Sequence, residues 1–214
     1  AGAYWSPGRV TTASRLVALG TATLGEAAPE SRLLRAPLRP LEMGMRAAGP
    51  ARTVRCPPGD NLALHRAIAI AEAGDLIVAD CGGSIESGPF GEILALACKL
   101  RGVAGLVIDG AVRDSSEIIA LGFPVFARGL NICGTTKSDE GELDIALEIG
   151  GADILPGDMV VADADAVLII PAAITGTALE RAEARAKREQ EVMQRVRAGE
   201  TTLEILGLDR ETTT

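Results

Sequence analysis

The sequence predicts an α/β fold on two observations. Apolar strand-like runs alternate with amphipathic helical ones through the middle of the chain. The apolar residues are mostly aliphatic: hydrophobic residues make up 47% of the 214 and aromatics only 2%, so the core must be built from Ala, Val, Ile and Leu. A chain of this length can bury one sizeable core, and no repeat or low-complexity linker divides it, so residues 1–214 are expected to form one domain.

In chain order, the first fifty residues mix Gly, Pro and Arg, with a weakly helical stretch from Leu16 to Leu24 and a leucine-packed loop in RLLRAPLRPLEMG. AGPARTVRC, Ala48 to Cys56, is strand-like. PPGD then places Asp60 as N-cap of a helix over NLALHRAIAIAEAG, which ends at a C-capping Gly74. DLIVAD reads as a short buried strand, and the glycine-rich CGGSIESGPFG leads to a helix from about Glu92 to Arg101. The strand GLVID follows, then GAVRD, a short helix over Ser115 to Leu121 and the strand FPVFAR. ADILPGDMVVADADAVLIIP reads as a hairpin turning at Pro156 and Gly157 or at Ala164 and Asp165. A long helix closes the chain, with Thr177 as N-cap and Gly199 as C-cap. On it Leu179, Ala182, Ala186, Glu189, Met193 and Val196 form a stripe stepping by threes and fours, with a carboxylate in its middle. Either the stripe tilts and Glu189 reaches solvent, or a partner surface needs an acid there.

Twenty-nine acidic against 21 basic residues give a net charge of -8, which repels a phosphate backbone and argues against a nucleic-acid partner held by charge. The run Ala166 to Ala178 is broken by Pro171 and is too short to cross a bilayer, so no membrane partner is expected. Cys56, Cys81, Cys98 and Cys133 show no CxxC spacing and read as reduced thiols; with no signal-peptide pattern opening the chain, a cytoplasmic location is expected.

Several groups are candidates for chemistry. Asp80, Asp109 and Asp114 each follow an apolar run, and ligands of open α/β sheets bind at strand carboxyl ends. Such acids suit a hard cation such as magnesium, although aspartate also ends strands because it favours turns. The glycines before Glu92 lead into a helix whose first amides, at Glu92, Ile93 and Leu94, have no intrahelical acceptor and offer a carboxylate or phosphate cradle. Arg113 beside Asp114 pairs a bidentate carboxylate binder with a metal ligand, or forms a surface ion pair. His65, the single histidine, sits inside a helix, and Lys99, Lys137 and Lys187 lie in surroundings too polar for a Schiff base.

Together GEILALACKLRGVAGLVIDGAVRD, LGFPVFARG and LPGDMVVADADAVLIIP resemble the class II pyruvate aldolases acting on 4-hydroxy-4-methyl-2-oxoglutarate and 4-carboxy-4-hydroxy-2-oxoadipate, a family that includes the regulator of ribonuclease E activity A. The resemblance runs from about Ala48 to Gly199. Its most specific element is an acid, twenty intervening residues and Arg-Asp, here Glu92 with Arg113 and Asp114; the family usually has Asp at the first position.

The resemblance implies an α-β-β-α sandwich like the swivelling phosphohistidine domain, with a long C-terminal helix, in place of the doubly wound sheet that alternation alone suggests. It implies that Arg113 binds the carboxylate and oxo oxygen of the pyruvyl unit, that the Gly91 to Leu94 amides grip that carboxylate, and that Asp114 ligates Mg2+ or Mn2+. It further implies a homotrimer or homohexamer in which the helix over about 178–198 packs on a neighbouring subunit and brings it Glu189, ten residues before Gly199. The expected reaction is retro-aldol cleavage of a 4-hydroxy-2-oxo acid to pyruvate and a second oxo acid, with oxaloacetate decarboxylation as a side activity. A water oriented by Glu92 or Glu189 would remove the C4 hydroxyl proton. The alternative is a non-catalytic regulator binding a ribonuclease or RNA helicase. A phosphohistidine carrier would rest wholly on His65, which has no glycine-rich loop around it.

Overall fold

The structure is a computed structural model and describes residues 11–208; the ends of the expected 1–214 unit, 1–10 and 209–214, lie outside the described residues. The N-terminal part holds α1 (Thr12–Ala27), the two-residue strands β1 (Arg32–Leu33) and β2 (Arg39–Pro40), and the long strand β3 (Ala47–Arg55). The middle alternates α2 (Leu62–Ile70), β4 (Leu76–Asp80), α3 (Glu92–Leu100), β5 (Gly105–Val112), α4 (Ser115–Leu121) and β6 (Val125–Leu130). Short strands follow at β7 (Glu142–Leu143), β8 (Leu147–Ile149), β9 (Ala152–Ile154), β10 (Met159–Ala162) and β11 (Val167–Ile170), then α5 (Thr175–Arg197) and α6 (Thr202–Leu206).

Nine strands join in the order β1-β11-β10-β3-β4-β5-β6-β2, with β7 on β3, and β8 pairs with β9 separately. β3 divides the sheet. Its first residues, Ala47 to Pro50, pair antiparallel with β10, and its last, Ala51 to Arg55, pair parallel with β4. Period-two alternation assigns each strand face to a different layer. In the parallel half Ile77, Ala79, Leu106, Ile108 and Val125 pack with α2, α3 and α4. Their neighbours Leu76, Val78, Val107 and Phe126 face Val160, Ala162, Val167 and Ile169 of the antiparallel half. The far faces of that half, Val161, Leu168 and Ile170, meet Leu16 and Leu24 of α1 and Ala178, Leu179 and Ala182 of α5. The layers therefore read helix, sheet, sheet, helix, as the resemblance implied, and not as a doubly wound sheet.

Local expectations are refined in several places. α2 begins at Leu62 with Asn61 as its cap residue, while Asp60 Oδ1 accepts the Leu62 N–H at 2.8 Å; the helix stops at Ile70 because Ala71 turns to extended backbone at ψ 141°, four residues short of the proposed Gly74 cap. β5 runs on past GLVID to Val112. The hairpin turns between Ala162 and Val167, the second of the two alternatives, while the segment before Pro156 and Gly157 pairs backwards with β8. A 3-10 turn over Ala172–Ile174 feeds α5, so that helix starts at Thr175, ahead of the proposed Thr177 cap. The leucine-packed loop contains β1 and β2. All four cysteines are free, and only Cys133 is exposed.

α1 is kinked at Gly20, whose φ of 79° and ψ of 161° break the helix. Glycine suits that positive φ, and a side chain there would also stand 3.4 Å from Asp163 Oδ2. Asp163, at the β10–β11 turn, acts as the cap of the second half: it accepts from Thr21 N at 2.8 Å and Thr21 Oγ1 at 2.7 Å, and also from Asp165 N at 3.0 Å. Burial pushes the Asp163 pKa up, but the hydrogen bonds from Thr21, Asp165 and Ala166 outweigh it and the net shift is downward. Asp163→Ala should cost about 1–3 kcal/mol of unfolding free energy, the cost of leaving buried donors unpaired. Urea denaturation checks this. Because the folded-state pKa lies below the unfolded one, the ionised group's contribution is full above the unfolded value of about 3.9 and fades as pH falls through the folded value. The gap between wild type and variant should shrink over that acid window.

Candidate functional site

The site forms where β5 ends. Val112 makes a parallel bridge with Phe90, and Arg113 N donates to Phe90 O at 2.9 Å, so the glycine-rich loop runs beside the strand end. Phe90 is fully buried and its ring stacks on Phe123 at 6.1 Å between centroids, which anchors the loop from below. Asp114 then takes the left-handed conformation, φ 56° and ψ 41°, as the cap residue of α4. Such a φ is uncommon outside glycine, costs energy and clusters at functional positions, with Asp among the residues that tolerate it.

That turn brings the Asp114 carboxylate back to α3. Oδ2 accepts the Glu92 N–H at 3.1 Å and lies 3.6 Å from Arg113 Nε. Gly91, the residue before α3, makes this contact sterically feasible, because a Cβ there would collide with Asp114 Oδ2 and stand 3.0 Å from Arg113 Cγ. It also supplies no capping side chain, so the start of α3 keeps amides turned outward and a partial positive charge. Gly91, Ile93, Leu94, Arg113 and Asp114 line one cleft of about 100 Å³, open to solvent. The Arg113 and Asp114 side chains are 42% and 40% exposed, so both are reachable by a small ligand.

Of the three strand-end aspartates, only Asp114 faces this cleft. Asp80 accepts from Gly82 N at 2.9 Å and faces Arg55, which is the turn role that also explains such residues. Asp109 is buried against Arg128. Among the described residues no group of three or more His, Cys, Asp or Glu converges on one point. What the cleft offers a divalent cation is one hard oxygen donor, the Asp114 carboxylate. Glu92 contributes its amide, and its side chain is exposed. Glu189 lies on α5 in an ion pair with Arg185, 2.7 Å, outside this chain's own cleft. The α5 stripe divides: Leu179 and Ala182 are buried in this chain's own core, while Met193 and Val196 are about half exposed, at 46% and 44%.

The rest of the cleft wall comes from residues that sequence reasoning did not assign to a site. Asn61, the cap residue of α2, and His65, one turn further on, face into it, as does Lys137 from the loop between β6 and β7. Asn61 Nδ2 donates to Pro89 O at 2.9 Å, tying α2 to the glycine-rich loop, while its Oδ1 is buried with no partner among the described residues. Burial, and after it the Lys137 ammonium, lower the His65 pKa, so the ring stays neutral to lower pH than a free imidazole. Asn61 and His65 at i and i+4 were a readable signal for one shared helix face; nothing local pointed to Lys137.

Against known proteins, the family model described as RraA-like, Aldolase/RraA, matches residues 21–169. A protein of Halalkalibacterium halodurans, provisionally named as a 4-hydroxy-4-methyl-2-oxoglutarate aldolase, is 39% identical over 146 residues, covering 68% of this chain and 70% of the relative. The solved RNA-processing inhibitor RraA of Thermus thermophilus superposes with a TM-score of 0.67 at 31% identity, covering 71% of this chain and 92% of that one. RraAS2 of Streptomyces coelicolor, described as an unusual member of the RNase ES inhibitor RraA family, reaches a TM-score of 0.77 at 27% identity, with 89% of this chain and 99% of that one covered.

The contact between Gly91 and Asp114 can be tested by stability. Gly91→Ala should cost about 1–3 kcal/mol, as expected for forcing atoms into filled space. Gly176→Ala, on α5 with nothing within 4 Å of the added carbon, should instead stabilise by about 0.5–1 kcal/mol through helix propensity. Parallel denaturant titrations of the two variants give the comparison.

Proposed function

Starting from the fact that this chain belongs to the RraA-like family, we propose that it is a divalent-metal-dependent aldolase. It would cleave 4-hydroxy-2-oxo acids, of the kind of 4-hydroxy-4-methyl-2-oxoglutarate or 4-carboxy-4-hydroxy-2-oxoadipate, to pyruvate and a second oxo acid. The observation that carries this reading is the meeting of Arg113, Asp114 and the uncapped start of α3 in one solvent-reachable cleft. An inhibitor acting by surface contact has no need of that set.

Each residue then has a task. The amides of Ile93 and Leu94 receive the substrate carboxylate at the positive end of α3. The Arg113 guanidinium donates to the carboxylate and to the 2-oxo oxygen, where negative charge gathers as the C3–C4 bond breaks and the enolate forms. Asp114 would hold Mg2+ or Mn2+, and the ion when bound would supply Lewis-acid polarisation of the oxo acid. Glu92, or Glu189 of a neighbouring copy, orients a water through which the C4 hydroxyl proton passes to that carboxylate, and return of the proton to C3 of the enolate releases pyruvate. Decarboxylation of oxaloacetate passes through the same enolate, with carbon dioxide leaving.

The reading includes a homotrimer or homohexamer in which residues 178–198 lie on a neighbour. The exposed apolar residues Met193 and Val196 on α5, and Ile93, Leu96 and Leu100 on α3 beside the cleft, support such a partner face. A second reading, a regulator that binds a ribonuclease, is favoured by the names of the solved Thermus and Streptomyces relatives. The two readings share a fold and differ in turnover.

Pyruvate release coupled to lactate dehydrogenase is the test, with both 4-hydroxy-2-oxo acids and oxaloacetate as substrates. Arg113→Ala and Asp114→Ala should each lower kcat/KM by about 10²-fold or more, the usual loss on removing a group that stabilises developing charge. Near-wild-type turnover in both would discard the mechanism. Chelation should abolish pyruvate release and added Mg2+ or Mn2+ should restore it; activity indifferent to chelator would exclude the metal assignment. Capture of a ribonuclease with no pyruvate from any substrate would select the regulator.

A further inference from the structure

We propose that Cys56 and Cys81 are a redox modification site, a pair of thiols that a peroxide joins into a reversible disulfide at the root of the two loops that build the cleft. Neither cysteine lines the cleft itself, so this role is independent of what the cleft binds.

Sheet register brings the two together. β3 and β4 run parallel, with Val54 opposite Ala79 and Arg55 opposite Asp80. Cys56 N then donates to Asp80 O at 2.8 Å, which carries the parallel pairing one step further and sets Cys56 opposite Cys81. Alternation puts both side chains on the face that carries Val54 and Ala79, and all four lie in the core that packs under α2 and α3. Neighbouring strands are about 4.8 Å apart, inside the range of roughly 4.4–6.8 Å between Cα atoms that a disulfide spans. Both thiols are free and buried. A hydrogen bond with Cys56, and after it burial, push the Cys81 thiol far above its ordinary value, so Cys81 keeps its proton against the neighbouring sulfur.

Cys56 differs from Cys81 in reach. It lines a cavity of about 380 Å³, open to solvent, whose walls also carry Arg55, Asp80, Asp139 and Glu142. Three carboxylates there repel an anionic oxidant such as glutathione disulfide, so the oxidant that fits is small and neutral, as hydrogen peroxide is. The Cys56 sulfur attacks one peroxide oxygen; the O–O bond breaks, the S–O bond of a sulfenic acid forms, and water leaves with the Cys56 proton. The Cys81 sulfur then attacks the Cys56 sulfur, the S–O bond breaks, and the departing hydroxide leaves as water with the Cys81 proton. Two thiols are oxidised to a disulfide and one peroxide is reduced to two waters. Chain order says what the bond restrains. Cys56 leads through Pro57 to Asn61, the cap residue of α2, and Cys81 opens the glycine-rich loop that ends at Gly91. The two loops meet again where Asn61 Nδ2 donates to Pro89 O at 2.9 Å, so a disulfide at their roots holds them at both ends.

The test uses the full chain carrying Cys133→Ser, which removes the exposed thiol, with the unsubstituted chain in parallel. Each is treated with hydrogen peroxide while folded, then unfolded in an alkylating reagent and peptide-mapped. A cross-link between Cys56 and Cys81 should appear, about 2 Da lighter than the reduced pair, and dithiothreitol should reverse it. Cys98, fully buried in the same core, should stay a thiol and be alkylated. Amide hydrogen exchange over residues 82–91 should slow by about threefold or more in the oxidised protein. Alkylation of Cys56 and Cys81 as complete as that of Cys98, or sulfinic acid at Cys56 with no cross-link, would overturn the pairing. A cross-link that leaves exchange over 82–91 unchanged would overturn its hold on the cleft loops.

Discussion

The site depends on one hydrogen bond, from the Glu92 amide to the Asp114 carboxylate. It joins the first turn of α3 to the residue that follows β5, two points separated by twenty-one residues of chain. For the bond to form, Asp114 must take a left-handed backbone and Gly91 must lack a side chain. Local strain at one position and the absence of atoms at another are thus two aspects of one constraint. The same contact aims the free amides of α3 and the Arg113 guanidinium at a common space. Binding groups on a rigid strand end and a rigid helix start hold their geometry before any ligand arrives.

The layers behind the cleft explain why that strand end is so well held. β5 is buried along its whole length, with alternate residues in the helical layer and in the layer between the sheet halves. β3 serves both halves, antiparallel to β10 along its first residues and parallel to β4 along its last. A helix-sheet-sheet-helix stack lets short aliphatic residues fill every layer, which matches a chain with so few aromatics. Two of its three phenylalanines, Phe90 and Phe123, stack on each other beneath the cleft.

A second fastening, between Asp60 and the segment around Thr136, does for the loop wall what the first does for the helix. Both use a carboxylate, which accepts one backbone amide at Asp114 and two amides and two hydroxyls at Asp60, and neither depends on an ion pair to a distant cation. Carboxylates are well suited to this because ionised oxygens accept several bonds at once and hold them more strongly than neutral acceptors. The net charge of -8 therefore coexists with a cleft that carries its own cations.

What the sequence determined by itself was periodic or local. Strands β3 to β6 and helices α3 and α4 were legible because apolar spacing reports which face is buried, whereas the interval from Glu92 to Arg113 and Asp114 gained its meaning from the family resemblance. The turn of the last hairpin was narrowed to two places, and pairing chose between them, since strand partnership is a contact between segments and not a property of either. The α5 stripe was read correctly as a stripe, but which part of it this chain covers for itself depends on where α1 lies. Asn61, His65 and Lys137 became one wall only in the folded chain. The bonds that assemble them run from residue 60 to residues 136 and 138, and the energy of a contact between residues that far apart leaves no periodicity in either stretch. Sequence patterns record what each segment buries; the tertiary structure decides which distant polar groups are brought to share a space.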